Sequence, residues 1–132
     1  MTMANITLSV VIPNWNGKDF LETCLGSLLR QTHDPLEIII VDNASQDGSQ
    51  VYIRDHYPQV TLIELAENRG FTGACNVGLE AATGEYIALL NNDTELDENW
   101  AAAVVDAFAR HPEVGMIASK MLLFDKRDHF HT

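Results

Sequence analysis

Carboxamide and carboxylate side chains recur at four places in the sequence, each directly after a run of apolar residues. These places are Pro13–Gly17, Asp42–Asp47, Glu67–Gly70 and Asn91–Thr94. Oxygen atoms of this kind suit Mg²⁺ or Mn²⁺ far better than zinc. A magnesium-type ion usually keeps several waters and binds through one or two carboxylates together with the phosphates of a substrate. The pattern therefore predicts a site for a nucleoside diphosphate and a divalent cation.

Each segment also has a purely structural interpretation, which the residues alone leave open. Asn91–Asp93 could form an ordinary turn between a strand and a helix, because Asn and Asp favour turns. Asp42 and Asp47 could do no more than cap the helix that follows them. Gly70 could supply turn geometry alone, and Trp15 could belong to the core at the edge of the sheet.

The apolar runs between these segments alternate between the spacing of strands and the spacing of helices. Strands are predicted over residues 6–12, 36–41, 60–65, 86–90 and 114–123, and Pro13 is expected to end the first of them. Helices are predicted over residues 20–32, 45–57, 71–83 and 98–110. Strands separated by helices of this length are parallel neighbours, which gives an α/β fold with a doubly wound, mainly parallel sheet and helices on both faces. Such sheets bind ligands beyond the carboxyl ends of their strands, where the strand order reverses.

Length and charge narrow the class of protein. The chain has 132 residues, with eight basic and 19 acidic side chains, a net charge of −11 and a pI of about 4.6. A chain of this length has room for one core, so residues 1–132 are expected to form one domain. Its negative surface repels phosphate backbones and anionic lipid headgroups, so no nucleic acid is expected as a partner.

The sequence also bears on compartment. No stretch approaches the roughly 18 apolar residues of a membrane span, and the N-terminus lacks the basic region and apolar core of a secretory signal. Cys24 and Cys75 lie in apolar helical patterns without a CxxC partner, so they are predicted to be buried free thiols. These features predict a cytoplasmic domain in a reducing compartment.

Taken together, the polar segments and the strands before them form an ordered set of motifs. They are Val10–Asn16, Ile39–Asp47, Asn68–Gly78 and Gly84–Asp93. This set resembles the family 2 inverting glycosyltransferases over nearly the whole chain, and within that family it is similar to the rhamnosyltransferase-like branch. The resemblance implies a GT-A fold whose N-terminal part binds the nucleotide of a sugar donor, with the first strand beside the fourth.

The resemblance also implies roles for residues of this sequence. Asp42 and Asn43 would contact the pyrimidine and its ribose, Gly70 would let the chain pass close to the base, and Asp93 would hold the metal that bridges the diphosphate. The implied donor-binding residues are Pro13, Asn14, Trp15, Asn16, Asp42, Asn43, Gly70, Asn91 and Asn92, with Asp93 as the ligand of Mg²⁺ or Mn²⁺.

Two positions depart from the family pattern. Asn91 stands where the family has an aspartate, which removes one negative charge beside the metal. Asn43 stands where many members carry a second aspartate, which leaves the choice between UDP-sugar and dTDP-sugar open. The family's general base lies well downstream, on the acceptor-binding half. It is therefore expected beyond Thr132, and the chain is expected to be a fragment of a longer enzyme.

The resulting hypothesis is a donor domain for inverting transfer of a sugar to a glycan or a lipid-linked acceptor. The full-length protein is expected at the inner face of the membrane, and an apolar face left for the remaining half is expected to favour self-association. A non-catalytic module that only binds nucleotide sugars is the alternative. A response-regulator receiver domain would need a pair of acidic residues directly after the first strand. A Rossmann domain would need a glycine-rich turn at the same place. Asn14–Asn16 supplies neither feature.

Overall fold

The computed structural model describes residues 6–123 and contains one four-stranded sheet. Its strands are β1 (Leu8–Asn14), β2 (Leu36–Asp42), β3 (Thr61–Glu64) and β4 (Tyr86–Leu89). Their spatial order is β3-β2-β1-β4, and all three pairings are parallel. The predicted parallel sheet is confirmed, and β1 lies beside β4 as the resemblance implied.

Four helices connect or flank these strands within the described range. They are α1 (Lys18–Leu29), α2 (Ser49–His56), α3 (Gly70–Ala81) and α4 (Trp100–Arg110). Residues of α1, α2 and α4 share the core on one face of the sheet, and α3 packs on the other, so the expected helices on both faces are confirmed. No helix among residues 6–123 is both long and apolar enough to cross a membrane.

The central strand β1 is buried on both faces, as its apolar sequence requires. Successive side chains of a strand point to opposite faces, so Leu8, Val10 and Ile12 join the core that contains α1 and α4, while Val11 faces α3. All four side chains are fully buried. Full burial of an aliphatic side chain contributes about 1.5–3 kcal/mol to the stability of the fold. The strand therefore holds the start of the following loop in a fixed position.

Pro13 does not end β1, contrary to the expectation from its missing N–H group. The strand continues to Asn14. The carbonyl of Val11 accepts a hydrogen bond from the amide of Leu90, so the odd-numbered residues of β1 direct their backbone groups toward β4. Because the ladder between β1 and β4 ends at Leu89, proline at position 13 removes no ladder hydrogen bond.

Residues 114–123 do not form the predicted fifth strand. The four-stranded sheet excludes them, and their extended pairing is limited to an isolated bridge at Leu122. Every side chain in this segment is exposed, including Met116 at 87%. An apolar run becomes a strand where neighbouring elements cover it, and no element between residues 6 and 123 buries this one. Self-association through this apolar surface stays a prediction.

The two cysteines are free and buried, as predicted. Burial raises the pKa of the Cys24 thiol to about 11, and burial also raises the pKa of Cys75. Both thiols therefore stay protonated and unreactive near neutral pH.

Gly78 lies where α3 packs closely against β1 and β2. A methyl group at this position would stand 2.2 Å from Cγ1 of Val11 and 3.2 Å from Cγ2 of Val41. Gly78 and both valines are buried. Close-packed interiors have little room to yield, so only glycine allows α3 to lie this close to β1 and β2.

We expect Gly78→Ala to lower the free energy of unfolding in urea by about 1–3 kcal/mol, the usual cost of overpacking a core. Gly26→Ala on α1 is the control, because its methyl group would meet only the movable guanidinium of Arg30, at 3.2 Å. Its higher helix propensity predicts a gain of up to about 1 kcal/mol. Wild-type stability in Gly78→Ala would contradict the close packing of α3.

Candidate functional site

A cleft of about 380 Å³ lies at the carboxyl ends of β1, β2 and β4 and the start of α3. The strand order reverses at β1, which has β2 on one side and β4 on the other, so this switch-point cleft occupies the position expected for a ligand in a parallel sheet. Its lining residues are Pro13, Asn14, Trp15, Asn43, Asn68, Gly70, Phe71, Asn91, Asn92 and Asp93. Eight of the ten residues predicted to bind donor or metal line it, and Asn16 and Asp42 do not.

The end of β1 contributes one buried and one exposed side chain to the cleft. Asn14 is 1% exposed, and its carboxamide lies between Asp42 and Asn92. Trp15 is 58% exposed, which excludes the core role left open for it. Asn16 has a φ of 50° and turns away, and its side-chain oxygen accepts a hydrogen bond from the amide of Gln46 at 2.8 Å.

Asp42 lies behind the wall of the cleft rather than in it. It is fully buried, and one carboxylate oxygen accepts hydrogen bonds from Nδ2 of Asn14 at 2.9 Å and Oγ of Ser45 at 2.7 Å. The other oxygen accepts from the amide of Ser45 at 2.9 Å and Nε2 of Gln50 at 2.7 Å. Four donors satisfy this buried charge within the protein. The turn they form also explains why α2 begins at Ser49 rather than at residue 45.

Asp47 joins the starts of α1 and α2, in keeping with its expected structural role. Its carboxylate accepts hydrogen bonds from the amides of Lys18 and Ser49, each at 3.0 Å. Burial alone would raise the pKa of Asp47, but these bonds and that from the Ser49 hydroxyl outweigh it and lower the pKa. The charged form that holds the two helices together therefore persists into mildly acidic solution.

Asn43 fixes the opposite wall of the cleft. Its Oδ1 accepts a hydrogen bond from the amide of Arg69, and its Nδ2 donates to the carbonyl of Gly70, both at 2.9 Å. Gly70 has a φ of +75°, a conformation that favours glycine. Asn43 is 4% exposed, so its carboxamide, although at the cleft, is already engaged on both sides.

Among residues 6–123, the turn after β4 brings the only charged side chain to the lining of the cleft. Asp93 follows Asn91 and Asn92, and Nδ2 of Asn92 donates to Oδ1 of Asn14 at 2.8 Å. Cys24 of α1 lies under this turn, with Sγ 3.9 Å from the carbonyl oxygen of Asn91. The turn is thus anchored both to β1 and to α1.

Sequence reasoning missed two lining residues. For Phe71, which is 61% exposed, the sequence pattern predicts only the first position of a helix, and for Asn68 it predicts no role in binding. The signal was present, because a large aromatic side chain beside Gly70 at the start of a helix lies at the carboxyl edge of the sheet. An exposed Phe at such an edge is a candidate contact for a flat ligand.

The oxygen ligands that the turn after β4 offers fit a Mg²⁺ or Mn²⁺ ion whose other ligands come partly from a substrate. Among residues 6–123, no three His, Cys, Asp or Glu side chains come together, so the described part of the chain forms no closed metal cage. Asp93 offers a carboxylate and Asn91 a carboxamide oxygen on the same turn. Such an open set suits a cation whose remaining ligands are phosphates and waters.

The sequence of the chain decides its family. Residues 9–132 match the family model described as Glycosyl transferase family 2. The chain belongs to this family. The resemblance inferred from the motifs is thereby confirmed at the level of the family.

Among the curated relatives of this family 2 chain, the uncharacterized glycosyltransferase YibD of Escherichia coli K12 is 44% identical over 92 residues. The putative teichuronic acid biosynthesis glycosyltransferase TuaG of Bacillus subtilis 168 is 35% identical over 96 residues. The matches cover 67% and 70% of this chain but only 26% and 38% of the relatives. The chain therefore spans about a quarter to two-fifths of the length of these relatives.

Solved structures establish that this family 2 chain has the GT-A fold. The mannosyltransferase PcManGT from Pyrobaculum calidifontis, in complex with GDP-Man and Mn²⁺, matches with a TM-score of 0.73 at 30% identity, over 77% of this chain and 32% of that one. TarS (residues 1–349) of S. aureus matches with a TM-score of 0.75 at 19% identity, over 89% of this chain and 40% of that one. The second likeness concerns the fold alone.

We expect Asn43→Asp to loosen the cleft wall of this family 2 chain, because aspartate keeps the acceptor for Arg69 but cannot donate to the carbonyl of Gly70. Losing one buried partner costs about 1–3 kcal/mol, which urea unfolding measures. Hydrogen exchange at the amide of Gly70 should also become faster. Asn76→Asp, on the exposed face of α3, is the control and should change neither quantity. Unaltered exchange in Asn43→Asp would show that Asn43 does not fix this wall.

Proposed function

We propose that this chain is the donor-binding part of an inverting, rhamnosyltransferase-like glycosyltransferase that uses a UDP- or dTDP-sugar and a divalent cation. One observation carries the proposal. In a member of glycosyl transferase family 2, the ends of β1, β2 and β4 converge on a single cleft whose lining contains one carboxylate, Asp93. Such a cleft has a place for a base, a ribose and a metal-bound diphosphate.

Two exposed aromatic side chains support a place for the nucleobase. Trp15 and Phe71 line the cleft and are 58% and 61% exposed. Stacking of a base on an aromatic ring contributes about 1–3 kcal/mol and tolerates any base, so choice among bases must come from polar groups. Asn68, which is exposed, offers such a group, and the backbone at Gly70 leaves room for a ring to approach.

The distribution of charge around the cleft supports the proposal that a cation binds there. The ten lining residues include no lysine or arginine, and the whole chain carries a net charge of −11. A diphosphate would meet repulsion there unless a cation offset its charge. Asp93 and Asn91 would hold Mg²⁺ or Mn²⁺, which would stabilise the charge developing on the leaving diphosphate. The mannosyltransferase that is 30% identical to this chain is in complex with GDP-Man and Mn²⁺.

The remaining steps of transfer need groups that we assign to the acceptor-binding half. In an inverting reaction an acceptor hydroxyl attacks the anomeric carbon as the nucleoside diphosphate leaves from the opposite face. A general base must take the hydroxyl proton, and we place that base beyond Thr132, with the site for a glycan or lipid-linked acceptor. The described residues would bind and orient the donor.

Asp93→Asn tests the assignment of the metal ligand. The substitution keeps the size of the side chain but removes the single charge at the lining of the cleft, so Mn²⁺ should no longer raise the affinity for UDP. Isothermal titration calorimetry with Mn²⁺ and with EDTA measures this difference. Affinity for UDP in EDTA should remain close to that of the wild type.

Glu80→Gln is the matched control, because Glu80 is an exposed carboxylate near the far end of α3. The control should retain the full effect of Mn²⁺. If Asp93→Asn also retains it, Asp93 does not bind the cation, and the turn after β4 is only a connection between a strand and a helix.

A panel of nucleotides and a transfer assay test the rest of the proposal. UDP and dTDP should bind more tightly than GDP, and the 132-residue chain should transfer no measurable sugar, because loss of general-base catalysis alone costs about 10²–10⁴ in rate. Tighter binding of GDP would overturn the choice of a pyrimidine donor. Transfer by this chain would show that the base lies within these residues.

A further inference from the structure

The buried carboxylate of Asp42 is not used by the donor contacts proposed above. It lies behind the wall of the cleft and has no exposed surface. Its link to the cleft is Asn14, whose Nδ2 donates to Oδ1 of Asp42 at 2.9 Å. Asn14 itself lines the cleft, so this carboxamide links the charge on Asp42 directly to the ligand site.

The charge fixes the direction of two successive carboxamides. A carboxylate only accepts hydrogen bonds, so the atom of Asn14 that meets Asp42 must be its nitrogen. The oxygen of Asn14 then faces Asn92 and accepts a hydrogen bond from its Nδ2 at 2.8 Å. Asn92 is therefore held with its nitrogen toward β1 and its oxygen directed away from Asn14, on the turn that carries Asp93.

Gly17 restricts the same contact sterically. A methyl group at this position would stand 2.0 Å from Nδ2 of Asn92 and 2.6 Å from Oδ1 of Asn14. Gly17 has a φ of −107°, which any residue adopts. Glycine is needed here because the carboxamide of Asn92 occupies the space of a side chain.

We infer that Asp42 is a positioning residue for the metal-binding turn: through Asn14 it orients the carboxamide of Asn92 against Gly17 and so places Asp93. This inference rests on the proposed function, because it concerns the cation assigned to Asp93. It gives Asp42 a role different from direct contact with the base or ribose. Groups that orient a metal ligand typically contribute 10–100-fold to metal affinity.

Asp42→Asn and Gly17→Ala test the inference from two sides. Asparagine at position 42 keeps the shape but can donate to Asn14, which allows both carboxamides to reverse. Alanine at position 17 displaces the Asn92 carboxamide without changing any polar group. In both variants the Mn²⁺-dependent gain in UDP affinity should fall about tenfold or more, while UDP affinity in EDTA stays close to the wild-type value.

Two further variants separate positioning from folding. Gly115→Ala is the control for Gly17→Ala, because no atom lies within 4 Å of its added methyl group, and it should behave as the wild type. The double variant Gly17→Ala/Asn92→Ala removes the steric clash. It should recover stability in urea relative to Gly17→Ala, yet still show the reduced effect of Mn²⁺.

The possible results distinguish this inference from the proposed function. A full Mn²⁺ effect in Asp42→Asn and in the Gly17→Ala/Asn92→Ala variant would overturn the positioning role alone. An equal loss of UDP affinity in Mn²⁺ and in EDTA would also overturn it. Such a result would indicate that the altered residue contacts the nucleotide directly or that the cleft as a whole has collapsed. No Mn²⁺ effect in the wild type would instead overturn the proposed metal site, and the inference with it.

Discussion

The free-energy cost of burying the carboxylate of Asp42 constrains the whole carboxyl end of the sheet. A buried charge left without partners costs several kcal/mol, so the chain around it must supply donors. Asn14 reaches it from β1, Ser45 from the turn after β2, and Gln50 from α2. These three elements are fixed relative to one charge, and the turn after β4 is tied to them through Asn92.

Carboxamides extend this arrangement across the cleft without adding further charge. Five of the ten lining residues are asparagines, and each asparagine offers a donor and an acceptor. Asn43 uses both, on Arg69 and Gly70, in a way that an aspartate cannot match. These two bonds give a structural reason for asparagine at position 43, and negative charge among the ten lining residues is confined to Asp93.

The sequence was sufficient to predict the parallel sheet and the meeting of its strand ends, because both follow from apolar periodicity and from the geometry of crossovers. It could not show that Asp42 points behind the cleft wall, since a residue at the end of a strand can point to either side. The prediction for Pro13 was wrong because the ladder to β4 ends before it. The fifth strand over residues 114–123 was wrong because its apolar pattern implies a covering partner that residues 6–123 do not supply.

The strained backbone beside the cleft lies at Asn16 and Ala44, which hydrogen bonds of Ser45 keep in place. Asn16 and Ala44 have φ values of 50° and 62°, in the left-handed region that costs a residue with a side chain roughly 1–2 kcal/mol. The amide of Asn16 donates to Oγ of Ser45 at 2.9 Å, and Ser45 directly follows Ala44. Ser45 donates to Asp42 through both its amide and its hydroxyl. The buried carboxylate that orients the carboxamides of Asn14 and Asn92 therefore also holds the two strained turns, which follow β1 and β2 at the cleft.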